Sequence, residues 1–426
     1  METKWLEYWT QIIRRFDPHQ QPGRDGVPAK FYVPRPDGPL SELETELRVD
    51  LTKSRTLLLT GHRGCGKTSE LARLAHQMRD AMTIIWLDVG ERLDMHRVGQ
   101  TDLLIAMAAT IHAHIPVPKA FDALKQQLMT VVEERLDKQS AALIAKAVQV
   151  IGAEGTISLL GREERQRIEL PPVLGGVLDG LNEVIAAARR KTKDRPLLLI
   201  VDQTERLDLD AARHIFANNR LLASIDCRVV LAIPFPIYAS TTREELQQQG
   251  FTPFLLPNIK LHERHQTELN PAGAALMSQI VERRLADDGA ARIDPVALQR
   301  LIEMSGGVIR ELVRFMHQAG VKAILAQSPQ ITPALAEQVI QAERYAKALS
   351  IPYSFYREEM AKVHLTGELT KATAKNEDGR EFIVCNELLH TLYLLAYTNG
   401  EPWYDVHPLM LPIIQEHLKR VQNGPA

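Results

Sequence analysis

The chain has 426 residues, too many for one ordinary hydrophobic core, so two or three domains are expected. Its 45% hydrophobic and 24% charged residues are the balance of a soluble globular protein, and a net charge of −2 leaves no global basic signature for nucleic acid. Cys65, Cys227 and Cys385 lie far apart without C-x-x-C spacing, which argues against a disulfide frame or zinc site and for a reducing, cytoplasmic setting. No apolar run approaches the roughly 18–20 residues a bilayer span requires, so no membrane is expected.

In chain order, Trp5, Leu6, Trp9, Ile12 and Ile13 are interleaved with Lys4, Glu7, Arg14 and Arg15, the spacing of an amphipathic helix over residues 1–16. Its apolar face is expected to dock on the protein or on a partner. The Pro- and Gly-containing stretch 18–39 reads as a linker, so residues 1–29 form an N-terminal helix and linker.

Five short apolar runs, at 56–60, 83–88, 197–202, 228–233 and 254–261, read as buried strands of a parallel α/β sheet with helical crossovers between them. The gap between the second and third runs is longer than a crossover needs. It holds an insertion at about 116–172, in which Phe121, Leu124, Leu128 and Val131 recur at helical spacing, followed at 155–170 by a hairpin or mobile loop. Such an insertion serves either a partner or packing. The basic run Arg189-Arg190-Lys191-Thr192-Lys193 reads as a solvated helix end.

From Pro271 the pattern is all helical. Leu276, Ile280 and Leu285 mark one helix and residues 296–304 a second; a third carries Ile309, Leu312, Val313 and Met316, and a fourth spans 333–349. His262 and His265 lack the H-E-x-x-H spacing and read as ordinary histidines. The last unit has a strand-like 381–384, a helix near 387–395 and a hairpin signal at Asn399-Gly400, a weak winged-helix pattern. The domain boundaries expected are therefore 1–29, 30–270, 271–349 and 350–426.

Two motifs carry chemistry. Gly61-His62-Arg63-Gly64-Cys65-Gly66-Lys67-Thr68 fits the phosphate-loop pattern G-x-x-x-x-G-K-[ST], between an apolar run and a helical run that opens at Ser69. Its glycines let backbone N–H groups turn towards phosphate oxygens, Lys67 can reach the β- and γ-phosphates, and the Thr68 hydroxyl can ligate Mg²⁺. The third apolar run ends in Asp202, which can hold Mg²⁺ through water beside such a loop. ATP and Mg²⁺ are the ligands expected. Many ATPases place Glu directly after this Asp; here Gln203 can align a water but cannot take its proton, and Glu205 is the nearest alternative base or else a partner of Arg206 or the surface.

These residues, with Ser305-Gly306-Gly307-Val308-Ile309-Arg310, resemble the AAA+ and STAND-type P-loop ATPases. The likeness is to the initiator-like clade, which has a helical lid and a C-terminal winged helix. The resemblance implies an α/β P-loop NTPase core with a five-stranded parallel sheet and helices on both faces. A helical lid and a small winged-helix-like α+β domain would follow. It implies that Arg310 reaches the γ-phosphate from the lid, with Arg314 as the neighbouring candidate and a surface stripe as the competing reading. The chain departs from the family at the fourth run, which ends Ala232-Ile233-Pro234 where a polar residue is usual, with Ser240, Thr241 and Thr242 only later. Arg220, Arg243, Arg283 and Arg284 are candidates for a trans-acting finger. Phe31-Tyr32-Val33 lies where related ATPases contact adenine; an aromatic there stacks on the base or packs at the core's edge.

The resemblance implies a nucleotide-gated, oligomerising ATPase that controls a partner protein, as in bacterial defence or stress signalling. The alternative is a DNA-engaging initiator. Lys362, Lys371, Lys375, Arg380, Lys419 and Arg420 in the last unit are diluted by acidic neighbours, so DNA is the less favoured partner.

Overall fold

A computed structural model describes the chain apart from residues 1, 21–28, 37, 50, 52, 96–97, 137, 139–170, 217–219, 242, 267, 286–291, 352, 377–378, 400 and 423–426. It contains two compact units: residues 39–60 with 73–255, and residues 1–38 with 61–72 and 256–426.

The first unit is built on a five-stranded sheet of β1 (Arg55–Gly61), β2 (Thr83–Asp88), β3 (Leu197–Asp202), β4 (Arg228–Pro234) and β5 (Phe251–Leu255), in the order β2-β3-β4-β1-β5. The pairs β1–β5, β2–β3 and β3–β4 are parallel. Every residue of β3 and β4 is buried, which is why these strands read as unbroken Leu, Ile and Val runs and not as alternating ones. The helices Gln100–His114 and Pro171–Lys191 share one core with the sheet, joining Met107, Ile111, Leu181 and Ile185 to Ile85, Leu199 and Leu231.

The fifth strand is displaced from the expected 254–261. It starts at Phe251 and ends at Leu255, where pairing with β1 stops and the chain from Leu256 belongs to the other unit. In the insertion, the helix Pro118–Arg135 buries Phe121, Leu124, Leu128 and Val132; the stripe turns through Val132, not Val131. The hairpin or loop expected at 155–170 lies outside the described residues.

The second unit holds the helices Pro271–Glu282, Pro295–Met304, Ile309–Leu325 and Pro333–Leu349, the segment expected to be a helical lid. Three of them open on Pro after a residue whose side chain caps the first turn: Asn270 accepts from the Gly273 N–H, Asp294 from Val296, and Thr332 from Leu335. The N-terminal helix Glu2–Arg15 docks here, with Trp9, Ile12 and Phe16 in the lid core. Gly320 permits the approach, since a Cβ there would lie 3.0 Å from Ile13 Cγ1.

The C-terminal part of this unit has the helix Phe355–Thr366, the hairpin β6 (Thr373–Lys375) and β7 (Glu381–Ile383), the helix Val384–His390, the hairpin β8 (Leu394–Asn399) and β9 (Glu401–Val406), and the helix Leu411–Gln422. The helix expected near 387–395 is earlier, at Val384–His390. Leu392 takes a left-handed backbone (φ 59°) that ends it, and Leu394 and Leu395 pair with Val406 and Asp405 in the hairpin instead. No helix among the described residues is long and apolar enough to cross a membrane.

Candidate nucleotide site

β1 delivers Gly61 into the phosphate loop, and the helix Lys67–Met78 begins at its far end. Gly64 sits at φ +86°, and a Cβ there would lie 2.7 Å from Arg310 Cβ, so both the backbone and the space require glycine. The Arg310 N–H donates to the Gly64 carbonyl at 3.1 Å, bringing the start of the lid helix Ile309–Leu325 directly onto the loop. Lys67 Nζ donates to the carbonyls of Gly61 (2.9 Å) and His62 (3.0 Å), so its charge spans its own loop. Cys65 and Thr68 are buried, Gly66 and Ser69 half-buried, and Arg63 exposed.

Three side chains brace this loop or the helix after it, and of the residues involved Arg35 and Ala396 carry no signal in the sequence. Arg35 donates to the carbonyls of Cys65 (3.0 Å) and Pro257 (2.5 Å). Tyr32 donates to Glu70, just beyond the loop, at 2.9 Å. His62 Nε2 accepts the Ala396 N–H of β8 at 2.8 Å. Burial and then the Lys67 charge push His62 down to about 3, so it is a neutral acceptor at physiological pH.

The Gly306-Gly307 turn that opens the lid helix is held as closely. Gly307 has φ +76°, and a Cβ there would stand 1.8 Å from the Ile259 carbonyl oxygen. Tyr397 Oη donates to the Gly306 carbonyl at 2.8 Å. The hairpin β8–β9 thus bonds both the phosphate loop, through Ala396, and the lid turn, through Tyr397.

Other candidates are drawn elsewhere. Arg314 pairs with Glu311 (2.5 Å) and Glu343 (2.7 Å) inside the lid. Arg284 is buried, bonded to the Phe31 carbonyl at 3.3 Å, and burial draws its guanidinium down to about 10. Arg283 donates to the Tyr32 carbonyl. Arg220 is exposed, and the side chain of Arg243 lies outside the described residues. Phe31 is buried with Arg284 over its ring at 5.7 Å, and Val33 belongs to the lid core.

In the sheet unit, Asp202 closes β3 fully buried, in register with Asp88 at the end of β2. Gln203 follows in a left-handed backbone (φ 68°), a conformation that costs roughly 1–3 kcal/mol for a residue with a side chain. Its Nε2 donates to Asp88 Oδ2, while Asp88 Oδ1 accepts the Glu91 N–H at 3.3 Å and caps the short helix Val89–Arg92. Glu205 is also buried, in the turn Thr204–Arg206, and is not a surface residue. β4 ends at Pro234, and the Ser240 hydroxyl is turned back to the carbonyls of Pro236 and Ile237.

The donor set fits a nucleoside triphosphate with Mg²⁺. A loop with inward-turning glycines and a buried lysine suits phosphates. The Thr68 hydroxyl is a hard oxygen donor of the kind Mg²⁺ takes beside phosphate and water. No cluster of three or more His, Cys, Asp or Glu among the described residues suggests a metal held by protein alone.

The strand order, the loop after β1 and the acidic end of β3 fit a P-loop NTPase fold. No protein-family model matches the chain, and no curated protein matches it in sequence. Among solved structures it is similar to the Aeropyrum pernix ORC2 protein in ADPNP–ADP complexes, at 12% identity and a TM-score of 0.41 over 96% of this chain and 98% of that one. It is also similar to the Aeropyrum pernix ORC1 protein in complex with DNA, at 12% identity and a TM-score of 0.46 over 95% and 98%. A Walker-type ATPase of Pyrococcus abyssi matches at 12% identity and a TM-score of 0.44 over 94% and 99%.

Proposed function

We propose that the chain is an ATP-binding, slowly hydrolysing regulatory ATPase of the AAA+/STAND kind, an oligomerising switch that controls a partner protein. The observation that carries this reading is the double bonding of the β8–β9 hairpin, to His62 in the phosphate loop and to Gly306 in the lid turn. In this proposal a change in the loop on binding phosphate passes through those bonds, so the C-terminal part senses the nucleotide state. In this proposal the loop Gly61–Ser69 cradles the phosphates, Lys67 neutralises them and Thr68 and Asp202 hold Mg²⁺. Arg310 reports the γ-phosphate, and Gln203 or Glu205 orders the water. When bound, Mg²⁺ supplies charge neutralisation at the β- and γ-phosphates. The absence of a polar residue at the end of β4 supports slow turnover.

The proposal retains an N-terminal segment at 1–29, an ATPase core at 30–270, a lid at 271–349 and a winged-helix-like part at 350–426, in a cytoplasmic protein. The partner belongs, within this proposal, to a defence or stress-signalling system like those of the bacterial ATPases the motifs resemble. A second reading, a DNA-engaging initiator, is favoured by one feature: Lys371, Lys375 and Arg380 are all exposed on or beside the β6–β7 hairpin.

Mass in solution without nucleotide, with ADP and with a slowly hydrolysed ATP analogue, each with and without duplex DNA, separates these readings. Assembly that needs the ATP analogue and ignores DNA is the expected result. Assembly only with DNA favours the initiator, and a monomer throughout defeats both.

A further inference from the structure

The chain just after β5 carries one polar side chain with nothing to bond. Leu256, Pro257, Asn258 and Ile259 run between the phosphate loop and the Gly306-Gly307 turn, all within the second unit. At one end the Leu256 carbonyl lies 2.4 Å from where a Cβ on Gly61 would stand, and Arg35 joins the carbonyls of Pro257 (2.5 Å) and Cys65 (3.0 Å). At the other end the Ile259 N–H donates to the Gly307 carbonyl at 3.3 Å. Asn258, between these anchors, is 2% exposed, and neither its Oδ1 nor its Nδ2 has a hydrogen-bond partner among the described residues. A buried donor or acceptor left unpaired costs stability, and an apolar side chain of the same shape would avoid that cost. An amide retained at such a place points to a partner that enters from outside the chain.

In the same unit, the groups of residues 31–32 that could meet a purine are engaged. The Phe31 carbonyl takes Arg284 at 3.3 Å, the Tyr32 carbonyl takes Arg283, and the Tyr32 hydroxyl donates to Glu70 at 2.9 Å. Asn258 presents what they lack, a donor and an acceptor side by side. Adenine presents the complement along its N6–N7 edge, a donor beside an acceptor; guanine presents two acceptors there, O6 and N7. We propose that Asn258 reads the nucleobase: its Nδ2 donates to adenine N7 and its Oδ1 accepts from the N6 amino group, so the site takes adenine nucleotides and rejects guanine ones. The inference rests on the nucleotide-binding reading above and deepens it. Against guanine, Oδ1 would face O6 or N7, acceptor against acceptor, and one end of the amide would stay buried and unpaired. A site that pairs both ends with one ligand rejects a ligand that pairs only one. The selection acts on binding and needs no hydrolysis.

The probes are ATP, GTP and 7-deaza-ATP, which carries carbon in place of N7. Each is titrated by calorimetry into the full chain and into Asn258→Leu and Asn258→Asp. The parental chain is expected to bind ATP roughly tenfold to a hundredfold more tightly than GTP or 7-deaza-ATP. In Asn258→Leu, ATP affinity falls by a similar factor and the three ligands come within about threefold of one another, because the loss from the ligand atom and the loss from the side chain do not add. Asn258→Asp keeps the acceptor for N6 but sets a carboxylate against N7, so it is expected to prefer 7-deaza-ATP to ATP. The melting temperature without nucleotide reports folding, and Asn258→Leu, relieved of an unpaired amide, is expected to hold or raise it.

Equal parental affinity for ATP and 7-deaza-ATP, or for ATP and GTP, overturns the proposal whether or not the variants fold, while nucleotide binding stands. So does a parental preference for ATP that Asn258→Leu retains. A lower melting temperature in Asn258→Leu with unchanged ligand ratios overturns it too, and assigns the amide to a buried water alone. If the parental chain binds none of the three nucleotides, the function proposed above fails and takes this inference with it.

Discussion

The phosphate loop and the carboxyl ends of β2 and β3 hold their polar groups in opposite ways. The loop is contiguous in sequence, but its braces come from far along the chain: Arg35 on Cys65, Arg310 on Gly64 and Ala396 on His62. At the strand ends the partners are next to one another in the sheet, Asp88 to Gln203, and the register of one parallel pair creates the contact. The first arrangement makes the loop answerable to the lid and the C-terminal hairpin. The second makes the strand ends a fixed local device.

The strongest way to break the first arrangement is Gly307→Ala. The added Cβ meets a backbone carbonyl at 1.8 Å in a positive-φ conformation, so a loss of roughly 3 kcal/mol or more is expected, seen as a large drop in melting temperature. Lys67→Ala comes next. Losing charged hydrogen bonds to phosphate should weaken ATP binding by about 2–3 kcal/mol, roughly 30- to 150-fold, measured by calorimetry, with the melting temperature of the nucleotide-free chain less affected.

His62 gives a pH signature of the loop's tie to the hairpin. Its folded value, about 3, lies below the unfolded value near 6.5, so the unfolded chain binds the proton first as pH falls. This group costs nothing above about pH 6.5 and removes stability progressively from there down to about 3, roughly 2 kcal/mol by pH 5. His62→Gln keeps an acceptor without the titration, and unfolding curves from pH 7 to 5 should lose that part of their slope. An unchanged slope would contradict the buried, neutral histidine.

The smallest effect sets a contrast within the same unit. His364 is half-buried and bonded to Asp405 at 2.7 Å, and that hydrogen bond raises its pKa. A raised value means its stabilisation is present below about pH 6.5 and lost as pH rises through the folded value, opposite in sign to His62. His364→Asn should cost below about 1 kcal/mol at pH 6 and less at pH 8, read from paired melts.

Much of this was legible in the sequence because it is written locally. The strands β2 and β3 follow from unbroken apolar runs, the helix Pro333–Leu349 from its start at Pro333, and the loop from glycine spacing ahead of Lys67. Boundaries slipped where a local signal was ambiguous. The apolar residues of 254–261 continue past Leu255 to Leu256, Ile259 and Leu261, yet the strand is Phe251–Leu255. Leu394 and Leu395 look helical until Val406 and Asp405 are available as cross-strand partners.

The sequence by itself determined that a phosphate loop follows a buried strand, that an aspartate closes another, and that Gln203 stands where a carboxylate is usual. Only the tertiary structure decided what those groups touch. Asp88 becomes the partner of Gln203 because β2 and β3 pair in one register, and His62 meets Ala396 across more than 300 positions. Propensity and spacing act over a few residues, whereas hydrogen bonds of this kind depend on which distant backbones packing brings within about 3 Å.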